Sequence, residues 1–157
     1  MKITDKYVFF WNGIYSQWYK CEFKVDDIEY SSAEQYMMHQ KALLFNDYDI
    51  AQDILETDEP SEQKRLGRKI KNFNKEIWEK SCLSIVIKGN LAKFSQNKYL
   101  LKQMLSTGDK LFCEASPIDY IWGCGLHEND DKILNPINWI GLNLLGQCLT
   151  IVKNELK

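Results

Sequence analysis

No apolar run in this 157-residue sequence approaches the roughly 18 residues of a membrane-spanning helix, so no membrane partner is expected. The N-terminal residues do not read as a signal peptide. None of the five cysteines, Cys21, Cys82, Cys113, Cys124 and Cys148, stands at C-x-x-C spacing to another, which argues against structural zinc. An odd, scattered set suits reduced thiols, and the expected location is the cytoplasm. Histidine is scarce: His39 and His127 are the only two, and they lack the spacing of metal ligands. Neither metal nor cofactor is expected. Net charge is also small, -2, which excludes a chain that coats nucleic acid by charge alone. It leaves room for a local pocket that takes a phosphate or a nucleotide, and for a local contact with nucleic acid.

Aromatic residues are plentiful, at 13% with five tryptophans. Composition leaves two readings open: a tryptophan-rich core, or a pocket that stacks a flat base. The length suits one domain with a real core. No repeat, linker or low-complexity segment divides it, so one compact domain spanning 1–157 is expected.

Residues 7–11, Y-V-F-F-W, read as a first strand. N-G at 12–13 marks a loop, 14–23 leads into a short strand, D-D at 26–27 is a turn, and Ile28 to Tyr30 return as a strand. Ser31-x-x-Glu34 and Ser32-x-x-Gln35 both fit a capping box and open a helix that runs to about Phe45. Further helices are expected from Asn46 or Asp47 to before Pro60, over Ser61–Asn72, from Asn74 to about Asn90, and over Asn97–Thr107. Lys110 to Ala115 reads as a strand, 116–138 as mostly loop, and 139–155 as a last helix. The fold class is α+β, helix-rich with a small sheet.

Glu34 and Lys41 lie seven residues apart, nearly two helical turns, so both point the same way. They are too far apart for an i,i+4 surface pair. Glu34 sits in the first turn, where the helix dipole favours its charge, and it also fits a plain capping role. Lys41 fits a snorkelling lysine. It becomes a nucleophile if its amine is held neutral by desolvation or a nearby cation, and Met37 and Met38 offer apolar surroundings.

The run E-A-S-P-I-D-Y-I-W-G-C-G at 114–125 follows a strand and joins a carboxylate, Asp119, to a flat wall, Trp122. Gly123 and Gly125 permit close backbone approach to a ligand. The same run also reads as an Asx turn with a buried tryptophan. F-F-W-N-G-I-Y-S-Q-W at 9–18 sets Asn12, Ser16 and Gln17 among aromatics, as a base- or sugar-binding loop or as a polar turn between strands. K-R-L-G-R-K at 64–69 lacks the Walker ending and reads as a solvated basic face.

In order along the chain, S-A-E-Q-Y-M-M-H-Q-K-A, L-G-R at 66–68, I-W-E-K at 77–80, K-F-S-Q-N at 93–97, the 114–125 loop and W-I-G-L-N-L-L-G at 139–146 resemble the YbiA-like or NADAR family. The resemblance implies a YbiA-like α+β domain and N-glycosidase activity on the bond between a ribose anomeric carbon and an exocyclic base amine. The substrate it implies first is ADP-ribose on the guanine amino group, the second a ribosylamino-pyrimidine phosphate of riboflavin synthesis. A module that binds ADP-ribose or a nucleotide without cutting it is the alternative from another class.

By position, Glu34 matches the acid of the family's S-x-E-[HQ]-Y motif and Lys41 the lysine that closes it. Asp119 completes the expected catalytic set. Trp11, Asn12, Gly13, Ser16, Gln17, Trp78, Ser116, Trp122 and Gly123 form the expected substrate-binding set. The usual asparagine of the first loop is Gln17 here, and Gln35 stands where many members have histidine. Two routes break such a glycosylamine. In one, a carboxylate, Glu34 or Asp119, supports an oxocarbenium-like transition state. In the other the sugar opens to an imine, and Lys41 displaces the base while Glu34 moves the proton. The second explains why an amine shares a stripe with an acid.

Overall fold

In a computed structural model describing residues 1–157, the chain runs β1 (Lys2–Ile3), β2 (Tyr7–Phe10), β3 (Lys20–Val25), β4 (Ile28–Ser32), α1 (Ala33–Leu44), α2 (Tyr48–Leu55), α3 (Pro60–Gly67), α4 (Lys75–Gln96), α5 (Lys98–Ser106), β5 (Leu111–Glu114) and α6 (Leu144–Leu156). Two short 3-10 turns, Asp131–Leu134 and Pro136–Asn138, precede α6. The fold is α+β and helix-rich. The chain divides into two compact units, one of Met1–Ser16 with Tyr99–Lys157, the other of Gln17–Lys98.

In the first unit β2 is central. It pairs antiparallel with β1, an element without a clear sequence signal, and parallel with β5, where Tyr7 faces Leu111 and Phe10 faces Glu114. Val8, Phe9 and Phe10 are fully buried, as a strand covered on both faces requires. Phe9 packs with Cys113, Ala115, Cys124, Leu126 and Ile133.

The last helix starts at Leu144, five residues later than its apolar pattern suggests. The segment before it is a strap instead. Amides of Ile140, Gly141, Leu142, Asn143, Leu144 and Leu145 donate to carbonyls within residues 120–124 at 2.8–3.1 Å. Asn143 takes left-handed backbone (φ 52) at the junction. Its side chain accepts from Glu114 N–H at 2.9 Å and donates to the Phe112 carbonyl at 3.1 Å. Those bonds satisfy groups that a longer helix would have used internally.

In the second unit β3 and β4 form a hairpin that turns at Asp26 and Asp27, both left-handed, as the D-D signal implied. α1 packs against α2, α3 and α4. α3 stops at Gly67 rather than continuing to Asn72; the chain beyond it turns so that Lys71 N–H reaches the Asp47 carboxylate at 2.9 Å. α4 continues to Gln96, past the expected Asn90, because its end is tied to the hairpin. Gln96 accepts from Lys24 N–H at 2.8 Å and donates to the Lys24 carbonyl at 2.7 Å.

None of the five tryptophans is fully buried; the core is built mainly from Phe, Tyr, Met and aliphatic side chains, and only Trp139 packs against its edge. Trp11 and Trp18 are exposed, and Trp78, Trp122 and Trp139 are half-buried. Of the two compositional readings, the tryptophan-rich core is overturned.

Candidate functional site

Two capping boxes compete for the start of α1, and the structure settles which one forms. Ser32 is the N-cap, its Oγ accepting from Gln35 N–H at 3.0 Å. Gln35 Oε1 reaches back to Ser31 N–H at 2.7 Å, and Gln35 Nε2 donates to the carbonyls of Ile54 and Thr57 at 3.0 and 2.9 Å. Gln63 joins the same network, accepting from Ser32 Oγ at 2.7 Å and donating to the Thr57 carbonyl at 2.8 Å. Capping is therefore the work of Ser32 and Gln35. Glu34, between them in the first turn, is buried, only 4% exposed. A buried carboxylate is held by hydrogen bonds or opposite charge.

Lys41 lies on α1, about 10 Å further along the axis. Side chains on a helix lean toward its N-terminus, so the long lysine stem shortens the gap toward Glu34. Its Nζ donates to the Gly67 carbonyl at 3.2 Å. The amine also lies 4.8 Å from the Phe73 ring centroid and 5.5 Å from that of Trp78. Burial pushes its pKa below the ordinary 10.5; the negative charge of Glu34 opposes the shift and the Arg68 guanidinium adds to it. The expected desolvation is present, but the flat walls over the amine are Phe73 and Trp78. Met38 packs against Gly67, where an added Cβ would lie 2.1 Å from the Met38 sulfur. The glycine of L-G-R thus lets α3 approach α1 and delivers its carbonyl to Lys41.

Gln17 is buried, and its main-chain carbonyl accepts Glu34 N–H at 2.9 Å, one of the amides left over at the start of α1. Its Oε1 accepts from Asn90 Nδ2 at 2.9 Å, and the same Nδ2 donates to the Val86 carbonyl. The second unit therefore brings Gln17, Glu34, Lys41 and Trp78 together. It adds Gly67, Arg68, Phe73 and Asn90, which sequence reasoning did not single out. Only the L-G-R motif hinted at them.

The remaining expected residues belong to the first unit. Ser16 is buried, and its N–H donates to the carbonyl of Gly13, which has φ +80. Trp11, Asn12 and Gly13 are exposed; Trp11 meets His127 edge-on at 5.9 Å. Ser116 and Asp119 build two nested turns. Ser116 Oγ accepts from the amides of Ile118 and Asp119 at 3.3 and 3.1 Å, and Asp119 Oδ1 from those of Ile121 and Trp122 at 3.0 and 2.8 Å. The Asx turn is real, and one oxygen of Asp119 serves it. Gly123 is small for an internal reason: an added Cβ would lie 2.8 Å from the Asp119 carbonyl and 3.0 Å from Ser116 Cβ. The loop packs on itself there.

His39 is a core histidine, buried and paired with Tyr30 Oη at 2.9 Å, its pKa lowered by burial. In the basic run, Arg65 pairs with Glu62 and Lys64 lies over the exposed Trp18 ring at 5.9 Å, a solvated face as expected. No three His, Cys, Asp or Glu side chains converge where they would hold a metal ion, and no helix is long and apolar enough to cross a membrane.

The family model described as the NADAR domain matches residues 9–157. The chain is 44% identical to an N-glycosidase of Acanthamoeba polyphaga mimivirus, over 97% of each chain. It is 32% identical to the chloroplastic riboflavin biosynthesis protein PYRR of Zea mays, over 69% of this chain and 16% of that one. The NMR structure of the E. coli protein YbiA is similar with a TM-score of 0.80, at 24% identity, over 99% of this chain and 87% of the other, a likeness of fold.

Proposed function

This chain belongs to the NADAR domain family, and from that premise we propose that it is an N-glycosidase acting on the bond between ribose C1 and an exocyclic base amine, foremost the one that joins ADP-ribose to guanine. The observation that carries this reading is the Lys41 amine. It is half-buried under Phe73 and Trp78, shifted toward neutrality, and on the same helix face as a buried acid, Glu34, whose charge it feels.

A neutral amine is what the imine route needs. With the sugar ring open, C1 is bonded to the base nitrogen as an imine. Lys41 Nζ adds to C1, a proton moves to the base nitrogen, and the C1–N bond to the base breaks. The base leaves as its free amine, and the sugar stays on Lys41 as a Schiff base. Water then adds to C1, releasing the sugar aldehyde and restoring the lysine. Glu34 is the proton carrier, and the face of Trp78 walls the sugar or base.

A ribosylamino-pyrimidine phosphate is the second reading, favoured by the riboflavin biosynthesis relative. It presents the same glycosylamine linkage, and the same residues would act on it. The test is a substrate panel. ADP-ribosylated guanine DNA, ADP-ribosyl-guanosine and a ribosylamino-pyrimidine phosphate are incubated with the protein and separated by chromatography. Release of free ADP-ribose from the guanine substrates is expected. Release from the pyrimidine alone would move the assignment to the second reading. Tight binding of ADP-ribose with no release anywhere would make the protein a binding module.

A further inference from the structure

α3 carries a row of exposed groups beside the Lys41 amine. Lys64 Nζ lies over the Trp18 ring at 5.9 Å, and Trp18 is 45% exposed. Arg68, the C-cap of α3, follows four residues later with helical backbone, and its N–H donates to the Lys64 carbonyl at 3.2 Å. Residues four apart share one side of a helix, with about 6 Å between their Cβ atoms. Gly67, beside Arg68, gives its carbonyl to Lys41 Nζ at 3.2 Å. The positive charge of Arg68 reaches that amine and adds to the lowering of its pKa. α1 and α3 run the same way, since Gln63 meets Ser32 at their starts and Gly67 meets Met38 and Lys41 further on. The order along this side is therefore a flat ring, a first cation, a second cation and the reactive amine.

Neither cation is neutralised. Glu59 is taken by Lys20 and Glu62 by Arg65, whereas Lys64 and Arg68 are exposed and take part in none of the chain's ion pairs. Two unpaired cations one turn apart suit two linked phosphates, which a guanidinium holds through several N–H donors at once. An exposed tryptophan suits a flat base.

A nucleoside diphosphate sugar presents matching parts in the same order: base, two phosphates, terminal sugar. A sugar monophosphate would leave Trp18 and one cation unused. A nucleic-acid strand asks for a longer tract, about 4–16 nucleotides in single-strand binding folds. We propose that Trp18 and the exposed side of α3 form a nucleoside-diphosphate subsite, in which Trp18 stacks the base, Lys64 and Arg68 hold the two phosphates, and the terminal sugar reaches Lys41. The proposal rests on the glycosidase reading for the place of the sugar. Within that reading it favours the ADP-ribose substrate over the ribosylamino-pyrimidine phosphate.

Calorimetry with ADP tests it, because ADP has the base and both phosphates but no terminal sugar to cut. ADP should bind the wild-type chain. Trp18→Ala, Lys64→Gln and Arg68→Gln should each weaken it at least about fivefold. Arg65→Gln, whose guanidinium is held by Glu62, should leave it unchanged. Ribose 5-phosphate, which has no base, should bind wild-type and Trp18→Ala proteins alike. All four positions are exposed, so thermal melts should stay in place. Failure of ADP to bind, or equal ADP affinity in every variant, overturns the proposal. So does a set of variants that loses binding to an unmodified single-stranded oligonucleotide while ADP binding is untouched, which would make the tract a nucleic-acid contact. Base release by a chain that ignores ADP would sink the subsite and leave the glycosidase reading standing. ADP bound as predicted, with no base released from any substrate, would sink that reading alone.

Discussion

The amine of Lys41 is tied to the main-chain carbonyl of Gly67 at 3.2 Å, across the contact between α1 and α3. The closeness of that contact depends on Gly67 having no side chain, since a Cβ would stand 2.1 Å from the Met38 sulfur. Gly67→Ala should therefore force the buried Met38 side chain out of its place and disturb the packing around the carbonyl that holds the amine. Overpacking of this kind costs about 1–3 kcal/mol, against a helix-propensity gain of at most about 1 kcal/mol. Thermal denaturation should show a net loss of stability, and turnover should fall with it.

Glu34 and Gln35 are neighbours with opposite expected phenotypes. Glu34→Gln keeps the shape and hydrogen-bonding capacity of the buried side chain but removes its charge, so turnover should drop by about two to four orders of magnitude, more than any change in melting accounts for. Gln35→Ala breaks the bonds to Ser31, Ile54 and Thr57 and leaves buried partners unsatisfied, which costs about 1–3 kcal/mol or more. Melting curves and steady-state kinetics on both variants check the contrast. A Glu34→Gln protein with normal turnover would leave Glu34 without a catalytic part.

Lys93 predicts a pH-dependent stability. It is fully buried in α4, with its amine near the faces of Tyr19 and Phe94, and burial pushes its pKa down to about 8. Below that value folded and unfolded chains both hold the proton, and the burial cost is present in full. Between about 8 and the ordinary value the folded chain has released the proton and the unfolded chain has not, so stability rises with pH. Lys93→Met should be more stable at neutral pH by about 1–3 kcal/mol and should lose that rise. Denaturant midpoints of both proteins across the range measure the difference.

The start of α1 was legible because Ser31, Ser32, Glu34 and Gln35 form an unusually dense capping signal. The sequence left two partners for that cap, and only packing against the carbonyls of Ile54, in the last turn of α2, and Thr57 chose Gln35. The Gly67 carbonyl and the Phe73 ring were not legible as companions of Lys41. A main-chain acceptor has no side-chain signature, and both lie far from residue 41 in sequence. The strap at 139–143 was misread as helix because W-I-G-L-N-L-L has helical apolar spacing. Bonds to residues 120–124 override that pattern, and they are long-range.

If Lys41 is the nucleophile, kcat should rise with pH as its amine deprotonates, with a midpoint below the ordinary lysine value because burial lowers its pKa. Lys41→Arg keeps the positive charge but not the reactive amine. Its turnover should fall at every pH without restoring the profile. A pH–rate series on the two proteins checks both statements.

The imine route is tested most directly by trapping. The protein is incubated with ADP-ribosylated guanine DNA, reduced with borohydride, digested and analysed by peptide mass. A reduced ADP-ribose adduct on the peptide carrying Lys41, absent from Lys41→Arg, is the predicted result. Normal turnover by Lys41→Arg with no adduct on the wild-type protein would contradict it, leaving the lysine as an anchor and the chemistry to a carboxylate route.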